Sequence, residues 1–364
     1  MGRNVPDLAT NPRWEQLAAL LVGYSTGVRP GERVMIAMSE AETLPLAEAV
    51  HEACIKVGAY PQVQFLSEKL RHSLLRHGNP EQLAWVPEIE AYGMEWADVY
   101  FGLRGACDLD IHSDIPADVL ARNQEAMGKV STLRWQKTRW CLVRVPNQAL
   151  ARQAECDLDT ITGMFFDACL LDWRAESRKL AEWAARLEQA ELVLIVGKDT
   201  DLRFSVKGRR WMVGDGRWNM PDGEIATAPL TESIDGEIWF ECPGVLAGRL
   251  MHDIRLAWKS GRLVEASSGT NQDFLQAVLG SDPGAGLIGE FGMGTNPHIN
   301  RFSKDILLDE KIGGTVHIAL GRAYPECGGT NQSAIHWDII KDTRREGMVF
   351  VDGAAVLENG RFLL

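Results

Sequence analysis

The hydrophobic pattern changes near residue 193, and the two parts of the chain require different kinds of sheet. Before this point, short apolar runs such as RVMIAMS, PQVQFL and RWCLVRV alternate with amphipathic segments such as LPLAEAVHEACIKVGAY. Strands that alternate with helices favour a mainly parallel sheet covered by helices. After it, runs such as DLRFSVKG, TVHIALG and AIHWDII are separated by glycine-rich turns, with one helix near NQDFLQAVLG. This second pattern predicts a strand-rich α+β domain.

The chain length of 364 residues suits two domains of ordinary size. We therefore predict an α/β fold, with an N-terminal α/β domain over 1–150, a helical bridge over 151–192 and the strand-rich domain over 193–364. WEQLAALLVGY predicts a helix over 14–24, and EWADVYFGL predicts a further strand. The second helix is predicted to end at Gly58, because glycine commonly follows a helix C-terminus.

Composition and charge exclude several classes of protein. The net charge of −12 disfavours binding to the phosphates of a nucleic acid. The opening MGRNVPDLATNPRWEQ has no apolar leader, and no apolar run approaches the ~18 residues of a membrane span. The seven cysteines are scattered and form no CxxC pair, which is typical of reduced thiols. We therefore expect a cytoplasmic protein without a membrane anchor. Residues 1–150 contain no GxGxxG or Walker motif, so the usual nucleotide-binding fingerprint is absent from the N-terminal domain.

The run SAIHWDII places a histidine and an aspartate two residues apart among apolar side chains. On a strand, residues i and i+2 share one face, so His336 and Asp338 point the same way. One interpretation is a hydrogen-bonded pair in which Asp338 orients a core histidine. The other is a pair of metal ligands. The dipeptide pattern alone leaves both interpretations open.

Other polar groups interrupt the strands and turns of the same domain. Histidine nitrogens and carboxylate oxygens together suit zinc, cobalt or manganese, and a carboxylate often bridges two ions ~3.5–4 Å apart. Each group also has a structural interpretation, as a surface acid, a hydrogen-bonded core histidine or a loop cap. The polar groups are Glu224, Glu290, Asp309, Glu310, His317 and Tyr324.

At these residues the chain resembles the M29 metallo-aminopeptidases of the aminopeptidase T and aminopeptidase S type. The resemblance rests on NMPDGEIATAPLTESIDGEIWF, LIGEFGMGTNPHI, LLDE followed by HIALGRAYP, and NQSAIHWDII, in that order. A weaker likeness in RPGERVMI, KVGAYPQV and ADVYFGL extends it over nearly the whole chain. The resemblance implies a homodimeric hydrolase that removes N-terminal residues from a small peptide, or cleaves a small amide substrate.

The resemblance also implies which residues form the site. It implies two divalent ions, zinc, cobalt or manganese, with Glu290 as the bridge between them. Glu310 matches a family acid that either ligates the second ion or acts as the general base. Tyr324 matches a tyrosine beside the metals, where its hydroxyl would donate a hydrogen bond to a developing oxyanion. The implied metal ligands are Glu224, Glu290, His317, His336 and Asp338.

The chain departs from the family pattern in its shorter total length, in the short segment between Tyr324 and His336, and at two further places. It has Gly223-Glu224 where the family usually has two glutamates, and the stretch from Glu310 to His317 is longer than usual. The 2,5-dihydroxypyridine dioxygenases resemble the same scaffold, bind a single Fe(II) and have a histidine at the position of Glu290. A mononuclear ring-cleaving oxygenase is therefore the alternative hypothesis. A catalytically silent binding protein with the same fold is the third.

Overall fold

The computed structural model describes residues 11–133 and 137–364. Residues 1–10, which include most of the segment searched for a leader, and residues 134–136 lie outside the described residues. The chain forms two compact units. One ends at Leu170 and includes Gly216–Pro221, and the other consists of Leu171–Asp215 and Asp222–Leu364. Among the helices of the described residues, none combines the length and apolar surface that crossing a bilayer requires.

The strands are short, and most belong to the second unit. In chain order they are β1 (Arg33–Ser39), β2 (Tyr60–Leu66), β3 (Val99–Gly105), β4 (Arg139–Val145), β5 (Leu192–Gly197), β6 (Thr200–Ser205), β7 (Met212–Gly214), β8 (Asn219–Met220), β9 (Glu224–Thr227), β10 (Asp235–Phe240), β11 (Gly244–Leu246), β12 (Arg249–Met251), β13 (Ile254–Lys259), β14 (Arg262–Ser267), β15 (Ile288–Gly294), β16 (Val316–Gly321), β17 (His336–Lys341), β18 (Met348–Val351), β19 (Ala354–Glu358) and β20 (Arg361–Phe362).

The helices lie mainly in the first unit. In chain order they are α1 (Arg13–Leu20), α2 (Leu44–Val57), α3 (Glu68–His77), α4 (Pro80–Ala84), α5 (Glu88–Trp96), α6 (Ala117–Thr132), α7 (Gln148–Gln153), α8 (Leu158–Cys169), α9 (Trp173–Leu187), α10 (Gln272–Leu279) and α11 (Ile306–Asp309). The stretch 151–192, predicted as a bridge, contains α8 of the first unit and α9 of the second.

The first unit is built on a parallel sheet, as the alternation of strands and helices predicted. Its strand order is β2-β1-β3-β4-β8, and each neighbouring pair is parallel. Helix α2 ends where predicted, because Gly58 adopts the left-handed conformation with φ of 88°. The core strands bury residues such as Ile36, Phe101 and Val143 completely.

An ion pair joins the starts of two neighbouring parallel strands in this sheet. Arg33, at the start of β1, donates from Nε and Nη2 to the two carboxylate oxygens of Asp98, at 3.0 and 2.9 Å. These side-chain hydrogen bonds lower the pKa of Asp98 from 3.8 to about 2. The pair is well exposed, since 44% of the Arg33 side chain and 37% of the Asp98 side chain are accessible, so solvent screens it.

We expect Asp98→Asn to lower the free energy of unfolding by a small amount, and to do so only at pH values where Asp98 is ionised. Because the pKa is lower in the folded chain, the ionised carboxylate stabilises the fold above pH 3.8, and this is lost as the pH falls towards about 2. Urea unfolding from about pH 2 to pH 7 measures the difference in the free energy of unfolding. Glu52→Gln breaks another exposed pair and is the positive comparison, because the hydrogen bond with Lys56 lowers the pKa of Glu52 and predicts a deficit of the same sign. An equal deficit at all pH values would contradict the assignment.

The second unit contains mainly antiparallel sheets, which confirms the predicted strand-rich domain. One sheet has the order β14-β13-β10-β6-β5-β18-β19-β20, and another has the order β17-β16-β15-β9-β7. Apolar residues of both sheets form one core. Within it, the Phe291 ring lies 5.2 Å from that of Phe204 and 6.1 Å from that of Trp211. This packing fixes which face of β15 is apolar and leaves the other face for polar residues.

Candidate metal centre

Four neighbouring strands bring the five predicted metal ligands to one face of a sheet. Glu224 begins β9, Glu290 lies in β15, His317 in β16, and His336 and Asp338 in β17. Strand order in this part of the sheet is β17-β16-β15-β9. The alternation of side chains explains why these groups are polar within apolar runs, since their neighbours in sequence face the core.

The pairing register aligns the ligands across the sheet. Ala319 of β16 lies between Glu290 and Asp338, opposite both. His317 lies opposite Gly292, and His336 lies opposite Gly321. Small residues thus separate the large polar ones on adjacent strands, which leaves room for the carboxylates and imidazoles to converge above the sheet.

Glu290 is the shared member of the cluster. Its Oε1 lies 3.6 Å from His317 Nε2, and its Oε2 lies 3.3 Å from His336 Nε2. His336 Nε2 is also 3.4 Å from Asp338 Oδ2, and His317 Nε2 is 3.6 Å from Glu224 Oε2. The two oxygens of one glutamate therefore face two different imidazoles. This is the arrangement that a bridging carboxylate needs.

Two groups of ligand atoms are compact enough to hold a metal ion. The atoms of Glu224, Glu290 and His317 lie within 4.8 Å of one another, and so do those of Glu290, His336 and Asp338. Three buried atoms of these two groups lack a hydrogen-bond partner among the described residues. They are both ring nitrogens of His317 and Oε2 of Glu224. Buried polar atoms of this kind are normally satisfied, so a divalent ion fits the donor set.

The orientation of His336 also fits metal binding. Its Nδ1 lies 2.8 Å from the carbonyl oxygen of Arg322, which can only accept, so Nδ1–H is the donor. This bond leaves Nε2, the nitrogen that faces Glu290 and Asp338, directed into the cluster, where it can bind a cation once it has lost its proton. Metal-ligating histidines are commonly held by such a second bond.

Gly292 provides the space that His317 occupies. A Cβ at residue 292 would overlap the Nε2 and Cε1 atoms of the imidazole and lie 2.9 Å from Cδ2. His317 is fully buried, with 0% of its surface accessible. The glycine in GEFGMG is therefore required by the close approach of the ring to the backbone of β15.

Charge in the cluster is balanced between carboxylates and imidazoles. Burial opposes ionisation of Glu290, but the His317 and His336 imidazoles outweigh it and hold its pKa at about 2. Burial lowers the pKa of His336, but Asp338 and Glu290 raise it to about 10. In the same way, Glu290 and Glu224 overcome burial and raise the pKa of His317 to about 9. Each imidazole would release its proton when a cation binds.

Lys311 contacts the acidic side of the cluster and was missed by the sequence analysis. Its ammonium is fully buried, lies 2.9 Å from Glu224 Oε1 and 3.9 Å from Asp222 Oδ1, and contacts Glu310. Burial lowers its pKa, but these carboxylates raise it well above 10.5. The available signal was a lysine directly after Glu310 in LLDEKIGG, immediately before an apolar residue and two glycines.

The two residues predicted to act in catalysis both lie beside the cluster. Tyr324 packs its ring 5.0 Å from that of His336, and burial together with the nearby carboxylates raises its pKa. Glu310 contacts Lys311, and burial raises its pKa to about 8. Asp309 is separate, because its carboxylate accepts hydrogen bonds from the amide and hydroxyl of Ser303, both at 2.7 Å.

The donor set, with its carboxylates and imidazoles around a shared glutamate, is typical of hydrolases that use zinc, cobalt or manganese. The model of one family, thermophilic metalloprotease (M29), matches residues 10–362. The chain therefore belongs to the M29 metalloprotease family, which confirms the resemblance, and as a member it is a metal-dependent hydrolytic enzyme.

The similarity to individual relatives and solved structures covers most of the chain. Aminopeptidase 2 of Geobacillus stearothermophilus is 24% identical, covering 90% of this chain and 92% of the relative. The structure of wild-type AmpT from Thermus thermophilus matches with a TM-score of 0.86 at 24% identity, covering 97% of this chain and 99% of AmpT. The 2,5-dihydroxypyridine dioxygenase of Pseudomonas putida KT2440 matches with a TM-score of 0.64 at 15% identity, covering 98% of each chain. The two structural matches establish a shared fold.

Proposed function

We propose that the chain is a metallo-aminopeptidase-like hydrolase that removes an N-terminal residue from a small peptide, or cleaves a small amide. The observation that carries this proposal is the buried Glu290, whose two oxygens face the separate imidazoles of His317 and His336. Membership of the M29 family and similarity to aminopeptidase 2 support the same activity.

Two positions for divalent ions follow from the donor groups. Glu224, Glu290 and His317 would hold one ion, and Glu290, His336 and Asp338 would hold the other. Divalent ions bound here would supply a water of lowered pKa and polarise the scissile carbonyl. Cobalt, zinc and manganese suit these donors.

The chain's own residues would then position the substrate and move protons. Asp338 and Glu290 would offset the charge of the ions, and the site would still attract an electron-rich end of the substrate. Glu310 is the proposed proton acceptor and would return the proton to the leaving amine. Tyr324, packed against His336, is the proposed donor to the oxyanion.

A cleft beside Asp338 is the proposed site for the substrate side chain. It is open to solvent, and the charged residues Lys304, Asp309 and Asp338 line it beside the apolar ones. An apolar N-terminal residue would bury its side chain there and gain the hydrophobic contribution, whereas a charged one would lose hydration. The apolar lining residues are Pro243, Val245, Phe302, Ile306 and Ile340. A homodimeric state and a cytoplasmic location remain predictions from the sequence.

We expect chelation to abolish hydrolysis of aminoacyl-anilides, and cobalt, zinc or manganese to restore it. Apolar aminoacyl-anilides should be cleaved with a higher kcat/KM than acidic ones, because of the cleft lining. The measurement combines anilide hydrolysis, metal analysis of the same sample, and circular dichroism to show that the fold survives chelation.

The same experiment separates the alternative functions. Full hydrolysis after all metal has been removed would contradict the proposal. A preparation that binds one iron, consumes oxygen with a dihydroxypyridine and cleaves no anilide would replace the hydrolase with the ring-cleaving oxygenase. A folded chain that is inactive with every metal and substrate would favour the binding protein.

A further inference from the structure

Lys311 forms a cationic centre inside the candidate metal site. Its side chain has 0% accessibility, and its Nζ lies within ion-pair distance of the carboxylates of Glu224, Glu310 and Asp222. Burying an ammonium is costly unless it is paired, and here it is paired several times over. The ammonium therefore has a fixed place in the structure.

The contacts of Lys311 involve only one of the two proposed ion positions. Among the described residues, its ion pairs involve Glu224 but neither Glu290 nor Asp338. One oxygen of Glu224 accepts from Nζ at 2.9 Å, and the other lies 3.6 Å from His317 Nε2. The position at Glu290, His336 and Asp338 keeps all its ligand oxygens clear of the lysine.

A divalent ion beside Glu224 would share its counter-charge with this ammonium. Two cations that draw on the same carboxylate repel each other, and the repulsion is weakly screened in a buried site. Glu310, the other acid predicted to ligate the second ion, already contacts Lys311. The Glu224 side of the cluster thus has an ammonium in contact with its carboxylates. On the other side, Lys304 lines the cleft beside Asp338, but among the described residues Asp338 forms an ion pair only with His336.

We propose that the Lys311 ammonium acts as an internal cation that makes the two ion positions unequal. The position at Glu290, His336 and Asp338 binds an ion tightly, and the position at Glu224, Glu290 and His317 binds one at least about a hundredfold more weakly. This inference rests on the proposed function, because it assumes that the cluster is a metal centre. In this proposal, the positive charge of Lys311 takes the place of the charge that a second, tightly bound ion would bring.

A buried lysine elsewhere in the same unit provides a matched control. Lys341 is 1% accessible and pairs with Glu241 at 2.6 Å. It lies on β17, three residues from Asp338, and alternation directs it to the opposite face of the strand. Replacing Lys341 tests the general cost of removing a buried lysine without touching the cluster.

The experiment measures metal binding and not activity. Metal-free wild type, Lys311→Met and Lys341→Met are titrated with manganese by calorimetry, and bound metal is counted after gel filtration. We expect wild type and Lys341→Met to retain one ion, with a second binding only at concentrations at least about a hundredfold higher. Lys311→Met should retain two ions, because Glu224 and Glu310 become available as ligands.

Several outcomes would overturn the inference. Wild type that binds two ions with affinities within tenfold of each other contradicts it without any variant, and so does Lys311→Met with wild-type stoichiometry. If Lys311→Met fails to fold, Lys311→Gln provides a second neutral variant, and Lys311→Arg should bind as wild type. Failure of the proposed function is distinct, because it appears as absence of anilide hydrolysis at saturating metal, whatever the number of ions.

Discussion

Glu290→Gln should abolish hydrolysis, lowering kcat/KM at least about a thousandfold, and should reduce the metal that the chain retains. Glutamine keeps the size of the side chain but removes its charge and replaces one oxygen with an NH2 group. That group would face either His317 or His336, each of which lies within 3.6 Å of a Glu290 oxygen. Anilide hydrolysis and metal analysis on the same preparation measure both effects.

A control separates this effect from general damage to the second unit. Glu241→Gln removes a carboxylate that pairs with a buried lysine, Lys341, away from the cluster. We expect it to change thermal stability but to leave metal content and kcat/KM near wild type. If Glu290→Gln kept full metal content and full activity, as is expected of the control, Glu290 would have no part in metal binding.

The fold could be predicted most accurately where one local signal dominates. RWCLVRV corresponds residue by residue to β4, and Gly58 ends α2 as its sequence position indicated. The predicted strand EWADVYFGL was too long at its start, because α5 continues to Trp96 and Asp98 pairs with Arg33. A tertiary ion pair and a helix end decide that boundary, and neither is visible in the alternation of apolar residues.

The predicted helix over 14–24 shows a second limit. Its first part is α1, ending at Leu20, and the next residues, Leu21–Ser25, form a π-helical turn. Both segments bury apolar side chains at helical spacing, so periodicity alone does not distinguish them. The hydrogen-bonding pattern depends on the packing around Leu21 and Val22, both buried.

The candidate site was predictable where the period of a strand fixes the geometry. His336 and Asp338 share a face of β17, as two-residue spacing requires. The approach of Glu290 to both histidines depends on the register of three strands, which the sequence alone does not specify. Lys311 follows the short helix α11 in a turn, where periodicity gives no direction for a side chain.

Gly292→Ala should destabilise the chain by about 1–3 kcal/mol, because an added methyl group is forced into a filled site. The new Cβ would overlap the fully buried His317 imidazole, so the ring or the backbone of β15 would have to shift. Moving this ring shifts it away from Glu290 and Glu224, so kcat/KM should also fall at least about tenfold. Urea unfolding and anilide hydrolysis measure the two effects.

Gly163→Ala is the matched control for this change, because the same methyl group meets a different environment. Gly163 lies inside α8, and a Cβ there has no described atom within 4 Å. Alanine in a helix interior restricts the unfolded chain, so stability should rise by about 0.5–1 kcal/mol. If both substitutions stabilised the protein, His317 would have to occupy a place other than the space above Gly292, and its assignment as a metal ligand would be wrong.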